Sequence, residues 1–504
     1  MAQRSRKHRD EAVRQIHLVL NGGVNYAQPK TAIADNELLR AYNFLYDADT
    51  EKLVTRPGTV CQTKETHKLD NAILKLFCYE KDTDTVYLVC ASGGKLYYLS
   101  GVSLDEWTEI GNLTDGGTVP SMLTFNGKLL IADGGTAVRT WDGTTYTTIA
   151  GSPKATALME IKNRVVANDK DDPDAVFFSA VEDENTWSGG TAVSVRCGYG
   201  DMLAINCFAV GPGGNDLIVS KVGEASRRIY RINLEESDPS LWYSMPLSVN
   251  NAAQNNSSIV TAFNEVFFID SNGFKSLAGV VSYGDINVDM VGKRVNNLFV
   301  DHPSVDDFAF LPTLNALWGL MSTGRVFCLH IINEQPVFTD ISFKWGRARS
   351  ICEVGGTVYL GGNDGYLRKL VNSVSTDEIS PGATESYVST VRTKDFSYTG
   401  KLLVRRFQVE LSPLLSGQAH LYFMVDDEAK EFKEITLMDA RDFLYDATYE
   451  LYSATWTLYE ASRSTWIDAT RSKTRGKRIG FQMMTTSGRV YVDSVTAEFV
   501  LVEG

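Results

Sequence analysis

The stretch Thr85-Val-Tyr-Leu-Val-Cys90, followed by the turn Ser92-Gly-Gly94 and the run Lys95-Leu-Tyr-Tyr-Leu99, decides the fold class of this chain. Two short runs of β-branched and aromatic residues flank a turn whose glycines accept positive φ, which is the pattern of a β-hairpin. The same pattern recurs six more times. The later copies begin at Lys128, Arg164, Asp216, Glu265, Ala316 and Thr357.

The spacing of these hairpins indicates a repeated unit. Successive copies lie 36 to 52 residues apart, counted from their first apolar positions, and one four-stranded propeller blade takes about 40 to 50 residues. A lone blade cannot bury both of its faces, whereas a ring of blades can. The sequence therefore predicts an all-β protein with a β-propeller of six or seven blades over residues 61–380. Recurring tryptophans are interpreted as filling between blades; they are Trp107, Trp141, Trp187 and Trp318.

The pattern changes on both sides of the predicted propeller. Residues 376–383 contain Ser-Pro-Gly and are typical of a linker. Beyond them, longer runs alternate apolar and polar residues, which predicts a second all-β domain, sandwich-like, over residues 384–504. Before the propeller we expect a basic N-terminal arm at residues 1–20, with a short helical pattern at 10–20, and a strand segment at 21–60.

Composition narrows the classes of function. The 504 residues predict two or three domains, and the net charge of -13 disfavours a conventional nucleic-acid reader with a basic face. The sequence has no apolar run of about 18 residues, and its first residues lack the apolar core of a signal peptide. We therefore expect no membrane anchor and a cytoplasmic protein until assembly. The seven cysteines never form Cys-x-x-Cys, so they are interpreted as buried free thiols in a reducing compartment.

Motifs of catalysis and metal binding do not occur in the sequence. It contains no Gly-x-Ser-x-Gly, no phosphate-binding Gly-rich loop and no zinc signature. We therefore name no catalytic, cofactor-binding or metal-binding residue, and we expect no enzyme and no cofactor. Acidic turns at 47–49, 82–84 and 171–174 lack the spacing of an EF-hand, and aspartate is a common turn former. Since some propellers cleave glycans with paired carboxylates that no linear motif reveals, a glycan-cleaving propeller enzyme stays an alternative.

Two basic clusters are candidate contacts with a partner or with DNA. A mobile terminus and a solvated loop are the competing interpretations. The first cluster consists of Arg4, Arg6, Lys7 and Arg9, and the second of Arg471, Lys473, Arg475, Lys477 and Arg478.

The first sixty residues carry a distinctive series of motifs. Leu20-Asn-Gly-Gly-Val-Asn25 is followed by Ala32-Ile-Ala-Asp-Asn-Glu-Leu38, by Ala41-Tyr-Asn-Phe44 and by Thr55-Arg-Pro-Gly58. In this order they resemble the opening of the tail nozzle, or tail hub (tail stabilisation), proteins of short-tailed bacteriophages. Later stretches match that family in style, chiefly 175–179, 185–188, 264–277 and 284–288.

The resemblance implies a structural virion protein. In that family the subunits form a ring, commonly a hexamer, below the portal and adaptor proteins of the tail. The ring continues the DNA channel, retains the genome and anchors fibres or a needle. The implied partners are therefore other copies of the chain, the portal–adaptor proteins, tail fibres or a needle, and DNA that passes without sequence specificity. The implied location is the virion tail, assembled in the cytoplasm of the bacterial host.

The resemblance transfers no catalytic residue. Its main alternative is a propeller that serves as an interaction scaffold, of WD-repeat or kelch type. The repeat signatures of those two families do not recur at fixed positions here.

Overall fold

The computed structural model describes residues 13–100, 105–114, 117–224, 226–280, 285–289, 291–299, 303–437, 463–468 and 475–502. The N-terminal segment contributes five short strands: β1 (Val13–Leu18), β2 (Leu38–Tyr42), β3 (Phe44–Tyr46), β4 (Leu53–Thr55) and β5 (Gly58–Cys61). The short helical pattern predicted at residues 10–20 is wrong where the chain is described, because β1 pairs along β39 at the C-terminus.

Six blades follow, each a set of four consecutive strands. Blade 1 consists of β6 (Ile73–Glu80), β7 (Val86–Ser92), β8 (Lys95–Ser100) and β9 (Thr108–Asn112). Blade 2 consists of β10 (Ser121–Phe125), β11 (Lys128–Ala132), β12 (Arg139–Trp141) and β13 (Tyr146–Thr148). Blade 3 consists of β14 (Leu158–Ile161), β15 (Arg164–Asn168), β16 (Ala175–Phe178) and β17 (Val193–Arg196). Blade 4 consists of β18 (Ala204–Val210), β19 (Asp216–Val222), β20 (Arg227–Asn233) and β21 (Tyr243–Val249). Blade 5 consists of β22 (Ile259–Ala262), β23 (Glu265–Asp270), β24 (Gly273–Val280) and β25 (Asp285–Asp289). Blade 6 consists of β26 (Val305–Leu311), β27 (Ala316–Met321), β28 (Arg325–Ile332) and β29 (Gln335–Ser342).

A closing sheet completes the ring between blade 6 and blade 1. It is formed by β30 (Ala348–Val354), β31 (Thr357–Gly362), β32 (Leu367–Val371), β33 (Thr376–Ser380) and β34 (Ala383–Ser386). The N-terminal strand β5 inserts between β32 and β33, so that one sheet joins residues from both ends of the propeller. The first strands of successive blades pack on one another around the ring, and β30 returns to β6. The all-β propeller is thus confirmed, with six blades and this closing sheet as a seventh unit.

The hairpins that decided the fold lie at equivalent places. Each quoted apolar run forms the second strand of its unit, as β7, β11, β15, β19, β23, β27 and β31 do. The turn before β11 shows why, because Asn126 and Gly127 both have positive φ (49° and 68°), as a tight hairpin turn requires. Buried apolar side chains lie in layers between neighbouring blades; Leu129 and Trp141 of blade 2, for example, belong to the same buried cluster as Val89 of blade 1.

The C-terminal strands form one curled half-barrel sheet. They are β35 (Ser389–Thr393), β36 (Phe396–Val425), β37 (Glu428–Leu437), β38 (Arg463–Asp468) and β39 (Arg475–Val502). Leu402 pairs with both Gly476 and Leu501, so the start of β36 meets both ends of β39. The predicted all-β C-terminal region is confirmed, although its strands curl into one sheet where the alternation predicted a sandwich. Strand β2 connects this sheet to blade 6 by pairing with β35 and β29.

The predicted linker is a hairpin of the closing sheet. Residues 376–383 lie in β33, in the Pro381-Gly382 turn and at the start of β34. Asp377, inside this hairpin, is completely buried and pairs with Arg56 of the N-terminal segment.

The short 3-10 helices are Glu65–His67, Pro239–Leu241, Val291–Phe299 and Pro312–Leu314. No helix among the described residues is long and apolar enough to span a membrane.

Candidate functional site

The Arg-Pro-Gly motif at residues 56–58 forms the most heavily bonded buried site of the N-terminal segment. Arg56 is completely buried and donates from Nη1 and Nη2 to the two carboxylate oxygens of Asp377 at 2.9 and 2.6 Å. Nη2 also donates to the Ser342 carbonyl at 3.0 Å. The guanidinium carbon, Cζ, lies 3.6 Å from the ring centre of Tyr387 and 4.9 Å from that of Phe343. A planar bidentate pair with a carboxylate requires arginine, because the ammonium group of lysine cannot donate two parallel hydrogen bonds in one plane.

The surrounding hydrogen bonds show what this site joins. Asn43 accepts from Arg56 Nε at 3.2 Å and donates to the Val388 carbonyl at 2.8 Å. Arg489 of β39 donates to the carbonyl of Thr55 at 3.2 Å. Arg56 therefore lies where the N-terminal segment, blade 6, the closing sheet and the C-terminal sheet meet. We call these surroundings the Arg56 junction.

The Gly-Gly pair of the first motif allows a close approach at the same part of the fold. Gly23 has φ of 66°, and a Cβ atom added there would lie 2.6 Å from the backbone nitrogen of Phe338. Its amide donates to the Tyr46 hydroxyl at 3.1 Å. At Gly22 an added Cβ would lie 2.8 Å from the Asn36 carbonyl oxygen. Both glycines are thus explained by packing and backbone conformation.

The basic clusters lie only partly within the described residues. Arg4, Arg6, Lys7, Arg9, Arg471 and Lys473 lie outside them. Of the remainder, Arg475 and Lys477 are exposed at the start of β39.

The described end of the second cluster closes the turn between β36 and β37. The amides of Lys477 and Arg478 donate to Asp426 Oδ1 at 3.0 and 2.9 Å, and Arg478 Nη2 lies 2.6 Å from Asp427 Oδ2. This part of the second cluster therefore has structural partners within the chain.

Several titratable groups in the described residues take part in hydrogen bonds within the fold. No group of three or more His, Cys, Asp or Glu residues within that part of the chain is placed to hold a metal ion. Two of the acidic turns use a carboxylate on their own backbone: Asp47 Oδ1 accepts from the amides of Asp49 and Thr50, and Asp82 Oδ1 accepts from the amide of Asp84. In the third turn, Asp172 and Asp174 pair with Arg196 and Lys221. All seven cysteines are free, and burial raises the pKa of the Cys61 and Cys78 thiols to about 11. Such thiols are weakly nucleophilic at neutral pH.

An exposed loop between blades 3 and 4 is a second candidate site, which the sequence analysis did not predict. We call residues 197–202 the Tyr199–Met202 loop. Tyr199 is 85% exposed and Met202 is 95% exposed, although both are large apolar side chains. Beneath them the ammonium group of Lys221 is fully buried and donates to Asp174 at 2.7 Å, to Asp201 at 2.9 Å and to the Cys197 carbonyl at 2.7 Å.

Further bonds fix the backbone of this loop. The Gly200 amide donates to Asp174 Oδ2 at 3.0 Å, and the Leu203 amide donates to Asp201 Oδ1 at 3.1 Å. Burial favours the neutral form of the Asp201 carboxyl, but the hydrogen bonds from Lys221 and Leu203 outweigh it, so its pKa is lowered. The one sequence signal for this loop was the lysine that ends the apolar run Leu217-Ile-Val-Ser-Lys221.

The family comparison agrees with the propeller over the first three blades. Residues 72–196, which cover blades 1 to 3, match the DUF6242 β-propeller domain family. None of the curated proteins matches the sequence. Among solved structures, the crystal structure of the computationally designed Ika8 protein is similar over 61% of this chain and 98% of its own, with 14% identity and a TM-score of 0.36.

Proposed function

We propose that this chain is a structural virion protein. It forms a ring, the nozzle or hub at the end of a short phage tail, that continues the DNA channel, retains the genome and anchors fibres or a needle. The observation that carries the proposal is the ordered series of motifs in residues 20–58. Its partners are further copies of the chain, commonly six in the family it resembles, together with the portal–adaptor proteins.

The surroundings of the motif residues support a mechanical role. Arg56, Gly22 and Gly23 are buried and enclosed by backbone and side chains of other segments, as described above. An element that ties the propeller to the C-terminal sheet suits a protein that must keep its shape while DNA passes under pressure. No enzymatic activity is proposed.

The acidic composition suits the passage of DNA. A channel wall that repels phosphate lets DNA slide, whereas a basic wall retains it by releasing counterions. We therefore propose an acidic lumen, on the strength of the net charge of -13. A basic lumen in an electron-microscopy map of the assembled ring would contradict this part of the proposal.

The experiment is a measurement of mass by light scattering, followed by negative-stain imaging, with and without portal–adaptor complex. We expect rings in at least one of the two conditions. A protein that remains a monomer in both would overturn the proposal and favour the interaction scaffold. Release of sugars from host capsule would favour the glycan-cleaving alternative.

A further inference from the structure

The Tyr199–Met202 loop carries the most exposed methionine of the described residues. Met202 is 95% exposed, so its thioether sulfur meets solvent with almost no cover from the protein. Seven other methionines lie among the described residues, and all of them are buried or half-buried; they are Met122, Met159, Met245, Met321, Met424, Met483 and Met484.

The neighbours of Met202 in the chain explain why its side chain points outward. Asp201 turns inward, because its carboxylate accepts from the buried ammonium group of Lys221 at 2.9 Å and from the Tyr230 hydroxyl at 3.2 Å. On the other side, Leu203 is only 3% exposed. The chain turns between these two inward residues with φ of 57° at Met202, which leaves the methionine side chain outside.

The backbone at this position is held by contacts in which the thioether takes no part. The Leu203 amide donates to Asp201 Oδ1 at 3.1 Å. The Met202 carbonyl oxygen packs against Gly223, where an added Cβ atom would lie 2.7 Å from it. A chemical change confined to the sulfur therefore leaves these contacts in place.

The chemistry of an exposed thioether is oxidation to the sulfoxide. The sulfur lone pair attacks one oxygen of a peroxide, the O–O bond breaks, and the other oxygen leaves as water or as an alcohol after proton transfer. The sulfur is oxidised by two electrons and the peroxide is reduced by two. The product side chain is polar and chiral, whereas the thioether is apolar.

The cysteines of the chain compete poorly for the same oxidant. The thiolate is the form that reacts with peroxides. Burial raises the pKa of the Cys61 and Cys78 thiols to about 11, so little thiolate is present at neutral pH. Cys90, Cys197, Cys207 and Cys328 are buried.

We propose that Met202 is an oxidative modification site, which hydrogen peroxide and organic hydroperoxides convert to methionine sulfoxide while the chain stays folded. The modification changes the tip of the Tyr199–Met202 loop from apolar to polar and leaves the backbone of the loop as it is. The site belongs to the folded chain and does not depend on the formation of a ring.

Peptide mass spectrometry after treatment with hydrogen peroxide tests the site. The oxidation rate of each methionine in the folded chain is divided by its rate in the chain unfolded in urea. We expect Met202 to keep at least about half of its unfolded rate, and Met483, which is 0% exposed, to be slowed at least about tenfold. A Met202 that is slowed as strongly as Met483 would overturn the inference.

The consequence for the surface is measured by hydrophobic-interaction chromatography. Wild-type protein treated with peroxide should elute earlier than untreated protein, with an unchanged circular dichroism spectrum and thermal unfolding midpoint. Met202→Leu has no sulfur at this position and should elute at the same volume before and after treatment. Met245→Leu, at a half-buried methionine of β21, is the matched control and should shift as the wild type does.

Two results would contradict the proposed effect of the modification. The first is an oxidised wild type that elutes with the untreated protein. The second is a midpoint that falls by several degrees on oxidation of the wild type but not of Met202→Leu, since the thioether would then stabilise the fold.

Discussion

Arg56 and Lys221 are both cations with fully buried side chains that bond to aspartate, yet they organise opposite kinds of surroundings. Every partner of Arg56 is buried or half-buried, and its carboxylate on Asp377 is itself at 0% exposure. Lys221 supports carboxylates that approach the surface, since Asp174 and Asp201 are 14% and 9% exposed. Above Lys221 the chain is almost fully exposed at Tyr199 and Met202.

The difference shows that the role of a buried ion pair depends on which parts of the structure it holds in position. At the Arg56 junction the pair fixes the mutual position of four parts of the fold. At Lys221 the ion pairs with Asp174 and Asp201 fix the shape of a surface loop. The side chains at the tip of this loop, Tyr199 and Met202, are almost fully exposed and pack little against the rest of the protein. Replacing a buried ion pair by apolar residues often leaves stability unchanged, whereas removing one partner is costly. The role assigned to these two pairs is therefore to fix positions, in the interior at Arg56 and at the surface loop at Lys221.

The largest expected loss of stability comes from replacing Arg56. Arg56→Met leaves the buried Asp377 carboxylate without its cation, so we expect the free energy of unfolding to fall by about 3–5 kcal/mol. Guanidinium denaturation followed by fluorescence measures it. Arg56→Met combined with Asp377→Leu should recover most of the loss, because no buried charge then remains alone. A single variant as stable as the wild type would contradict the role assigned to this junction.

Lys221→Met should have a smaller effect. Because Asp174 and Asp201 lie near the surface and water can reach them, we expect a loss of about 2–3 kcal/mol. The amides of Gly200 and Leu203 should also lose protection in hydrogen exchange, since their acceptors are no longer positioned. Lys95→Met removes an exposed ion pair with Glu109 and serves as the control, with unchanged protection at these amides. Equal protection in both variants would contradict the anchoring role of Lys221.

His330 is a buried base that is neutral in the folded protein, in contrast to the charged Arg56 and Lys221. His330 is 2% exposed, and burial lowers its pKa to about 3. The unfolded histidine binds a proton below about pH 6.5 and the folded one does not, so stability is lost as the pH falls from about 6.5 towards 3. Between pH 7 and pH 5 this group should account for a loss of about 2 kcal/mol. His330→Phe should remove that part of the dependence in urea denaturation; an unchanged slope would contradict the assignment.

The smallest effect is expected at the loop tip. Tyr199→Ser removes a side chain that is 85% exposed, so the free energy of unfolding should change by no more than about 0.5 kcal/mol. The thermal unfolding midpoint measures it alongside Lys221→Met. A large loss would show that the tip stabilises the fold, and the contrast between tip and anchor would then fail.

The local sequence pattern predicted the repeated hairpins of the propeller, but it did not predict the segments that connect the propeller to the N-terminal and C-terminal parts of the chain. Each apolar run with its Gly, Asn or Asp turn became the second strand of a unit, because hairpin pairing involves neighbours in sequence. Residues 376–383 were interpreted as a linker, since Pro381-Gly382 resembles an interruption. They form two strands instead, because β33 pairs with β34 and with β5 from the N-terminal segment, where Arg56, more than 300 residues earlier in the chain, bonds to Asp377.

The candidate sites divide in the same way. The motifs at Gly22-Gly23 and Arg56 were visible as unusual residues, but only the fold shows what they contact. The Tyr199–Met202 loop gave almost no signal, because exposure and anchoring depend on Lys221 from the neighbouring blade. Of the basic residues named as candidate contacts, Lys477 and Arg478 bond within the chain, and Arg4, Arg6, Lys7, Arg9, Arg471 and Lys473 lie outside the described residues.

The sequence by itself determined the strand class, the hairpin repeat and the acidic balance of this protein, because these depend on local propensity, on turn chemistry and on residue counts. Only the tertiary structure decided how the ring closes, since β5 must cross to β32 before the closing sheet is complete. It also decided that the C-terminal strands curl into one sheet joined to blade 6. Contacts between distant segments carry no local pattern, so their outcome depends on which buried groups find partners when the whole chain packs.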